Sequence, residues 1–233
     1  MPSLKKQDAL ALLKKYGADR RVMEHILAVR DYAMEIAGKV DCDRDLVEAG
    51  ALLHDIGRTK SHGMDHAIIG AEILRKEGLD ERIVNIVERH IGAGLTAEEA
   101  EKLGLPPKDY VPKTIEEKIV CHADNLIGST ERVSIQDTVA MAKKKWFPES
   151  VERLISMHFE VFRPDIVILS ENASGGDLER LRRIADKYLK SFDLLYKLNV
   201  DNGIARLALY GQDSAKAARY LISKGIADPA NTS

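Results

Sequence analysis

Apolar residues recur at helical spacing from Val22 to Phe162, and that rhythm stops at Pro164. The change of period limits the fold more than any other feature, because a face built at 3.6 residues per turn cannot serve as a strand. Val22, Ile26, Val29, Ala33, Ile36 and Val40 make one apolar stripe on a helix of about residues 20–40. Asp43 can cap the next helix, which carries Leu46, Val47, Ala49, Leu52 and Leu53 and which Gly57 stops. Asp65 can cap a helix ending before Gly78, and Asp80 one holding Ile83, Ile86, Val87 and His90 and ending at Gly92. Thr96 with Glu99 and Thr114 with Glu117 have capping-box spacing, and Pro106, Pro107 and Pro112 mark the loop between them. Further helices are expected over about residues 134–145 and from Pro148 to about Phe162.

Beyond Pro164 the pattern is different. Ile166-Val-Ile-Leu-Ser is a short β-branched run, Asn172-Ala-Ser-Gly-Gly a loop, and residues 177–191 a helix. Leu194–Val200 and Ile204–Tyr210 flank Asp201-Asn-Gly, the signal of a hairpin with a type I′ turn. Residues 213–224 return to helix. The expected architecture is mostly α: a helical domain over residues 1–163, then a small α+β domain over residues 164–233. A chain of 233 residues has room for one medium and one small domain.

Composition excludes several classes of function. Lys and Arg number 35 against 37 Asp and Glu, so no strongly basic nucleic-acid coat is expected. No apolar run approaches the roughly 18 residues of a membrane helix, and Met1-Pro-Ser-Leu-Lys-Lys lacks the apolar core of a secretory signal. Cys42 and Cys121 lie far apart, so a disulfide framework is not expected and a reducing cytoplasm is the default compartment. No Walker-type loop is present, which removes support for a kinase or P-loop ATPase.

The chemistry concentrates in Ala51-Leu-Leu-His-Asp-Ile-Gly-Arg, where His54 and Asp55 end an apolar helix. Burying that pair without partners costs several kcal/mol. A metal ion would offset the cost, taking imidazole nitrogen and carboxylate oxygen as ligands. Helical phase turns more such groups inward. His25 lies beside Val22, Ile26 and Val29; His90 follows Ile83, Ile86 and Val87; Asp124 follows Ile119, Val120 and Ala123; His66 is next to an N-cap.

His25, His54-Asp55 and Asp124, in that order and spacing, resemble the H…HD…D signature of the HD superfamily of metal-dependent phosphohydrolases, over roughly residues 20–130. His66-Ala-Ile-Ile-Gly-Ala-Glu-Ile-Leu and Glu88-Arg-His90 are similar to the extra-histidine segments of dinuclear branches. Those branches include the HD-GYP cyclic-dinucleotide phosphodiesterases and the HD-type diadenosine tetraphosphate hydrolases. The first domain most closely resembles small archaeal and bacterial HDIG-motif proteins. Two positions depart from the pattern. Ile91 and Gly92-Ala-Gly-Leu stand where HD-GYP enzymes have a second histidine and Gly-Tyr-Pro, and Arg58 replaces the usual lysine.

The resemblance implies an HD helical bundle in which His25, His54, Asp55 and Asp124 hold one divalent ion. Asp55 would bridge to a second ion held by His66 and His90. Such ligands suit Mn, Fe, Ni, Co, Zn or Mg. It further implies in-line attack of activated water on phosphorus in a nucleotide or another small phosphoester or phosphoanhydride. Arg58 and Lys60 would bind phosphate and stabilise its developing charge, and His62 would help protonate the leaving oxygen. Monoesterase and diesterase activity both stay open. Two alternatives stand beside this reading. One is a mononuclear HD nucleotidase in which His66 and His90 bind phosphate; the other is a regulatory HD protein that binds a nucleotide without turnover.

Plainer roles are expected for other residues. His122 sits two residues before Asp124 and points to a different helix face, so a structural role is expected. Lys143-Lys-Lys at a helix C-terminus is a solvated end favoured by the helix dipole. Residues 164–233 show no chemical constellation, and pairing of two copies through an exposed strand or helix face is the plain expectation for them.

Overall fold

The structure is a computed structural model that describes residues 4–170, 173 and 175–230. Within them the chain forms two compact units. One comprises the chain up to Val133 together with Thr138–Val161; the other comprises Ser134–Asp137 and the chain from Phe162 onward. The single cut expected after residue 163 therefore misses one feature. Ser134–Asp137 group with the second unit because the Ile135 N–H donates to Asp193 Oδ1 at 2.8 Å, and Gln136 Nε2 donates to the carbonyls of Phe192 and Leu194.

The first unit is built from α1 (Lys6–Tyr16), α2 (Arg20–Ala37), α3 (Arg44–Leu53), α4 (His66–Lys76), α5 (Glu81–Glu88), α6 (Ala97–Lys102), α7 (Ile115–Asn125), most of α8 (Ile135–Lys145) and α9 (Pro148–Val161). A core of Ala9, Leu13, Ile26, Leu52, Leu53, Ile56, Ala71, Leu74, Val84 and Val87 joins the inner faces of α1 to α5. Each of these side chains is fully buried, and at roughly 1.5–3 kcal/mol per large apolar side chain this packing holds the bundle together.

The caps are mostly those that the sequence signals. Asp19, Asp43 and Asp80 accept from N–H groups of their first turns. Thr96 and Glu99 form a reciprocal capping box. The Thr114 box is half made: Thr114 caps α7, but Glu117 turns its carboxylate to Arg89 and the Lys113 N–H. Asp65 does not cap α4, because its carboxylate takes the Ser61 hydroxyl at 2.6 Å. The helix before the His-Asp pair ends at Leu53, short of Gly57. A 3₁₀ turn, Ile56–Thr59, takes over, leaving Asp55 at φ −101°, ψ 15° in the break between them. Gly57 is required there for a steric reason: a Cβ on it would lie 1.9 Å from the His66 carbonyl oxygen.

The second unit has the order β1 (Asp165–Ser170), α10 (Leu178–Leu189), β2 (Leu195–Asp201), β3 (Ile204–Tyr210), α11 (Ser214–Ser223), β4 (Asp228–Pro229). The sheet order is β2-β3-β1-β4 with all neighbours antiparallel, a βαββαβ arrangement. Val167, Leu207 and Leu209 on one sheet face pack with Ala185 and Leu189 of α10 and Ala217 and Leu221 of α11. Asn202 and Gly203 both have positive φ (50° and 77°) and join β2 to β3, the geometry of a type I′ turn. The fold is mostly α with a small α+β unit at its C-terminal end. Part of the expected loop, at 172 and 174, lies outside the described residues.

Candidate metal centre

The first unit brings His25 on α2, His54 and Asp55 after α3, His66 opening α4, His90 just beyond α5 and Asp124 near the end of α7 to one place. Four of these groups are imidazoles, and all four are pinned the same way. Nδ1 of His54 lies 2.8 Å from the Ala51 carbonyl, that of His66 2.6 Å from Gly63, that of His90 2.7 Å from Val87 and that of His25 2.9 Å from Ser129. A carbonyl only accepts, so each Nδ1 carries a proton, and each ring, when neutral, presents its Nε2 lone pair inward. This is how proteins orient metal-binding histidines.

The inward atoms meet around Asp55. His66 Nε2 and His90 Nε2 are 3.0 Å apart and lie 3.2 and 3.5 Å from Asp55 Oδ1. His25 Nε2 and His54 Nε2 are each 3.7 Å from Asp55 Oδ2, and 3.0 and 3.6 Å from Asp124 Oδ1. Acceptors therefore face acceptors on both sides of one carboxylate. His54 Nε2 and Asp55 Oδ1 are buried with no hydrogen-bond partner among the described residues. Orphaned buried acceptors of this kind are costly unless a cation lies among them. The residues fit divalent ions in two groups, His25–His54–Asp55 and Asp55–His66–His90. Nitrogen and carboxylate oxygen donors suit the borderline-to-hard first-row metals.

Charge follows the same geometry. Burial opposes protonation of His54, but the Asp55 and Asp124 carboxylates outweigh it and push the imidazole up to about 9, so an ion taken up there would displace its Nε2 proton. Burial likewise works against ionising Asp55, yet His54, His66 and His90 hold its carboxyl far below the usual range. Asp124 is lowered against burial by His25 and His54. His90 is lowered by burial and by its histidine neighbours despite Asp55. Both carboxylates are thus ionised at neutral pH, as ligands must be. The buried thiol of Cys121 is pushed upward by desolvation and is no thiolate ligand.

Beside the cluster opens a cleft of about 610 Å³, lined among others by Arg21, His25, Asp55, Arg58, His62 and Thr130. Arg58 donates from Nε to Asp55 Oδ2 at 2.6 Å. His62 is exposed at the cleft. Lys60 is exposed and does not line it. The 3₁₀ turn explains the split, since at three residues per turn positions two apart point to different sides. His122 stays out of the centre, buried with its Nε2 2.9 Å from His158 Nδ1. Gly94 is structural, because a Cβ there would meet Pro112 Cδ at 2.5 Å. The carbonyls that set the imidazoles, above all Ser129 reaching His25 across the fold, carry no side-chain signal and were not foreseeable.

Residues 22–129 match the family described as HD domain. The chain is 49% identical over 162 residues to an uncharacterized protein of Methanocaldococcus jannaschii, spanning 66% of this chain and 95% of that one. It is 53% identical over 152 residues to a tRNA (cytidine(56)-2'-O)-methyltransferase of Thermoplasma volcanium, a match covering 65% of this chain and 45% of the relative, so the chain spans under half the length of that enzyme. A ribonuclease Y of Acidothermus cellulolyticus is 34% identical over 115 residues, 48% of this chain and 20% of that one. With a histidine–aspartate cluster inside the matched stretch, the chain belongs to the HD-domain family.

Proposed function

We propose that this protein is a metal-dependent phosphohydrolase with two divalent cations, acting on a nucleotide or another small phosphoester or phosphoanhydride. The observation that carries this reading is Asp55, whose two oxygens each face a pair of inward Nε2 atoms. His25, His54, Asp55 and Asp124 would hold one ion, and Asp55, His66 and His90 the other. Cations bound there supply electrophilic stabilisation of phosphoryl oxygens and acidify the attacking water. The chain's own groups do the rest. Arg58, at the edge of the cleft, grips a phosphoryl oxygen and spreads its charge over a planar fork. His62 stands at the same cleft, where an imidazole can pass a proton to a leaving oxygen. The Nδ1 bonds to backbone carbonyls hold the four rings still, which lowers the cost of ordering them.

The ribonuclease Y relative favours a phosphodiester, including RNA, as a second reading of the substrate. The methyltransferase name belongs to a relative of which this chain matches 45%, so methyl transfer is not carried over. The test is a turnover screen with added Mn²⁺ or Ni²⁺ over nucleoside mono-, di- and triphosphates, cyclic dinucleotides and short oligoribonucleotides. Hydrolysis that is abolished by chelator and by Asp55→Ala supports the proposal. Tight nucleotide binding with no turnover of any phosphoester supports the regulatory alternative instead.

A further inference from the structure

The two oxygens of Asp55 live in different surroundings. Oδ1 faces His66 and His90, whose side chains are 6% and 1% exposed, and it has no hydrogen-bond partner among the described residues. Oδ2 faces His25 and His54 and already accepts the Arg58 Nε–H at 2.6 Å. On this side His25 and Asp124 are partly exposed, at 19% and 22%. His54 Nε2 on the outer side is orphaned too, so both groups call for a cation, and they differ in that the outer one already has the Arg58 guanidinium on its shared carboxylate oxygen.

We propose that the centre loads in order, with Arg58 as a built-in counter-cation that weakens the outer site until a phosphoryl group draws it away. The inference rests on the two-ion reading above. At the inner group no cation has to be displaced: Asp55 Oδ1 has no partner among the described residues, and only the 3.0 Å contact between His66 Nε2 and His90 Nε2 is exchanged for the ion. At the outer group, Asp55 Oδ2 must be shared between an ion and a guanidinium in hydrogen-bond contact, and like charges that close repel even at a partly solvated site. Arg58 bonds Asp55 through Nε, which leaves its Nη pair to engage an anion in the cleft. Once an incoming phosphate takes the guanidinium, Asp55 Oδ2 is released to His25, His54 and Asp124. Phosphate and the second ion then bind with positive coupling, and by linkage each tightens the other. Arg58 is in this respect a positioning residue for the centre as well as a phosphate ligand.

The experiment is a titration of the chelator-stripped 233-residue chain with Mn²⁺, read as free Mn²⁺ by electron paramagnetic resonance, with and without inorganic phosphate. The wild type should show one tight equivalent and one at least about tenfold weaker. Arg58→Ala should tighten the second equivalent by about tenfold or more and leave the first unchanged. Phosphate should tighten the second equivalent in the wild type and not in Arg58→Ala. Arg58→Lys, which keeps the charge but loses the fork, should restore part of the gap. His90→Ala should remove the tight class and spare the weak one. Circular dichroism establishes that each variant is folded. Two equivalents of equal affinity, or an Arg58→Ala protein whose second ion binds unchanged or more weakly, would overturn the ordered loading while leaving the two-ion reading intact. A wild type that binds fewer than two equivalents defeats both.

Discussion

Replacing Gly57 with alanine separates the scaffold from the chemistry in a single perturbation. A Cβ at this position would lie 1.9 Å from the His66 carbonyl oxygen and 2.7 Å from the Gly70 N–H nitrogen, both backbone atoms. Reaching ordinary contact at 3.4 Å requires the 3₁₀ turn and α4 to part by about 1.5 Å. Neither can rotate a side chain out of the way. The movement loosens Ala67, Ala71 and Leu74 from the core and carries His66 with it. Overpacking against rigid backbone costs about 3 kcal/mol or more, the upper end of what a single methyl does. At 2–4 °C per kcal/mol for a chain of this size, Tm should fall by about 6–12 °C. The assay is thermal unfolding followed by circular dichroism, with Gly38→Ala as control. Gly38 is right-handed helical at φ −67°, and its Cβ would meet nothing nearer than 3.4 Å. That change should be neutral or stabilise by about 0.4–1 kcal/mol. A Gly57→Ala protein that melts with the wild type, or a Gly38→Ala protein that melts as low as Gly57→Ala, would refute the steric account of the glycine after His-Asp-Ile.

Three further outcomes are expected. Burial opposes ionisation of Glu99, but the Thr96 N–H and Arg153 outweigh it and hold its carboxyl below the ordinary value of 4.5, so its contribution is present above about pH 4.5 and is lost as pH falls through the lowered folded value. Glu99→Gln should therefore lower Tm clearly at pH 7 and by a shrinking margin below pH 4, and a constant margin would contradict the linkage. His122→Ala should keep the full metal complement yet lose about 1–3 kcal/mol in a denaturant titration, because it breaks a buried contact with His158 away from the centre; loss of bound metal would show that α7 had been read from the wrong side. Divalent ions that bind only the folded chain should raise its stability by about 2.7 kcal/mol at a hundredfold excess over Kd, an increase that His54→Ala should diminish.

Much of the centre was legible because helical phase and ligand chemistry coincide. His25, His90 and Asp124 each lie in phase with apolar residues that pack inward, so the same periodicity that places the core also places the candidate ligands. The hairpin was legible through Asn202-Gly203, the pair that tolerates two consecutive positive φ angles. Other features were not legible. α1 offers only Ala9 and Leu13 as fully buried residues between lysine pairs, too thin a stripe to stand out. β4 is two residues long and exists only through its pairing with β1. The placement of Lys60 away from the cleft was not legible, because sequence proximity to Arg58 says nothing about direction in a 3₁₀ turn. Arg58 was expected as a phosphate ligand and not as a partner of Asp55, since a guanidinium near a carboxylate in sequence can as easily face solvent.

Anomalous scattering from a crystal grown with Mn²⁺ tests the central claim most directly, since it counts the ions and shows what touches them. Two peaks should flank Asp55, one within bonding reach of His66 and His90 and one of His25, His54 and Asp124. Peaks only at the surface, with the four imidazoles and two carboxylates unbound, would contradict the account.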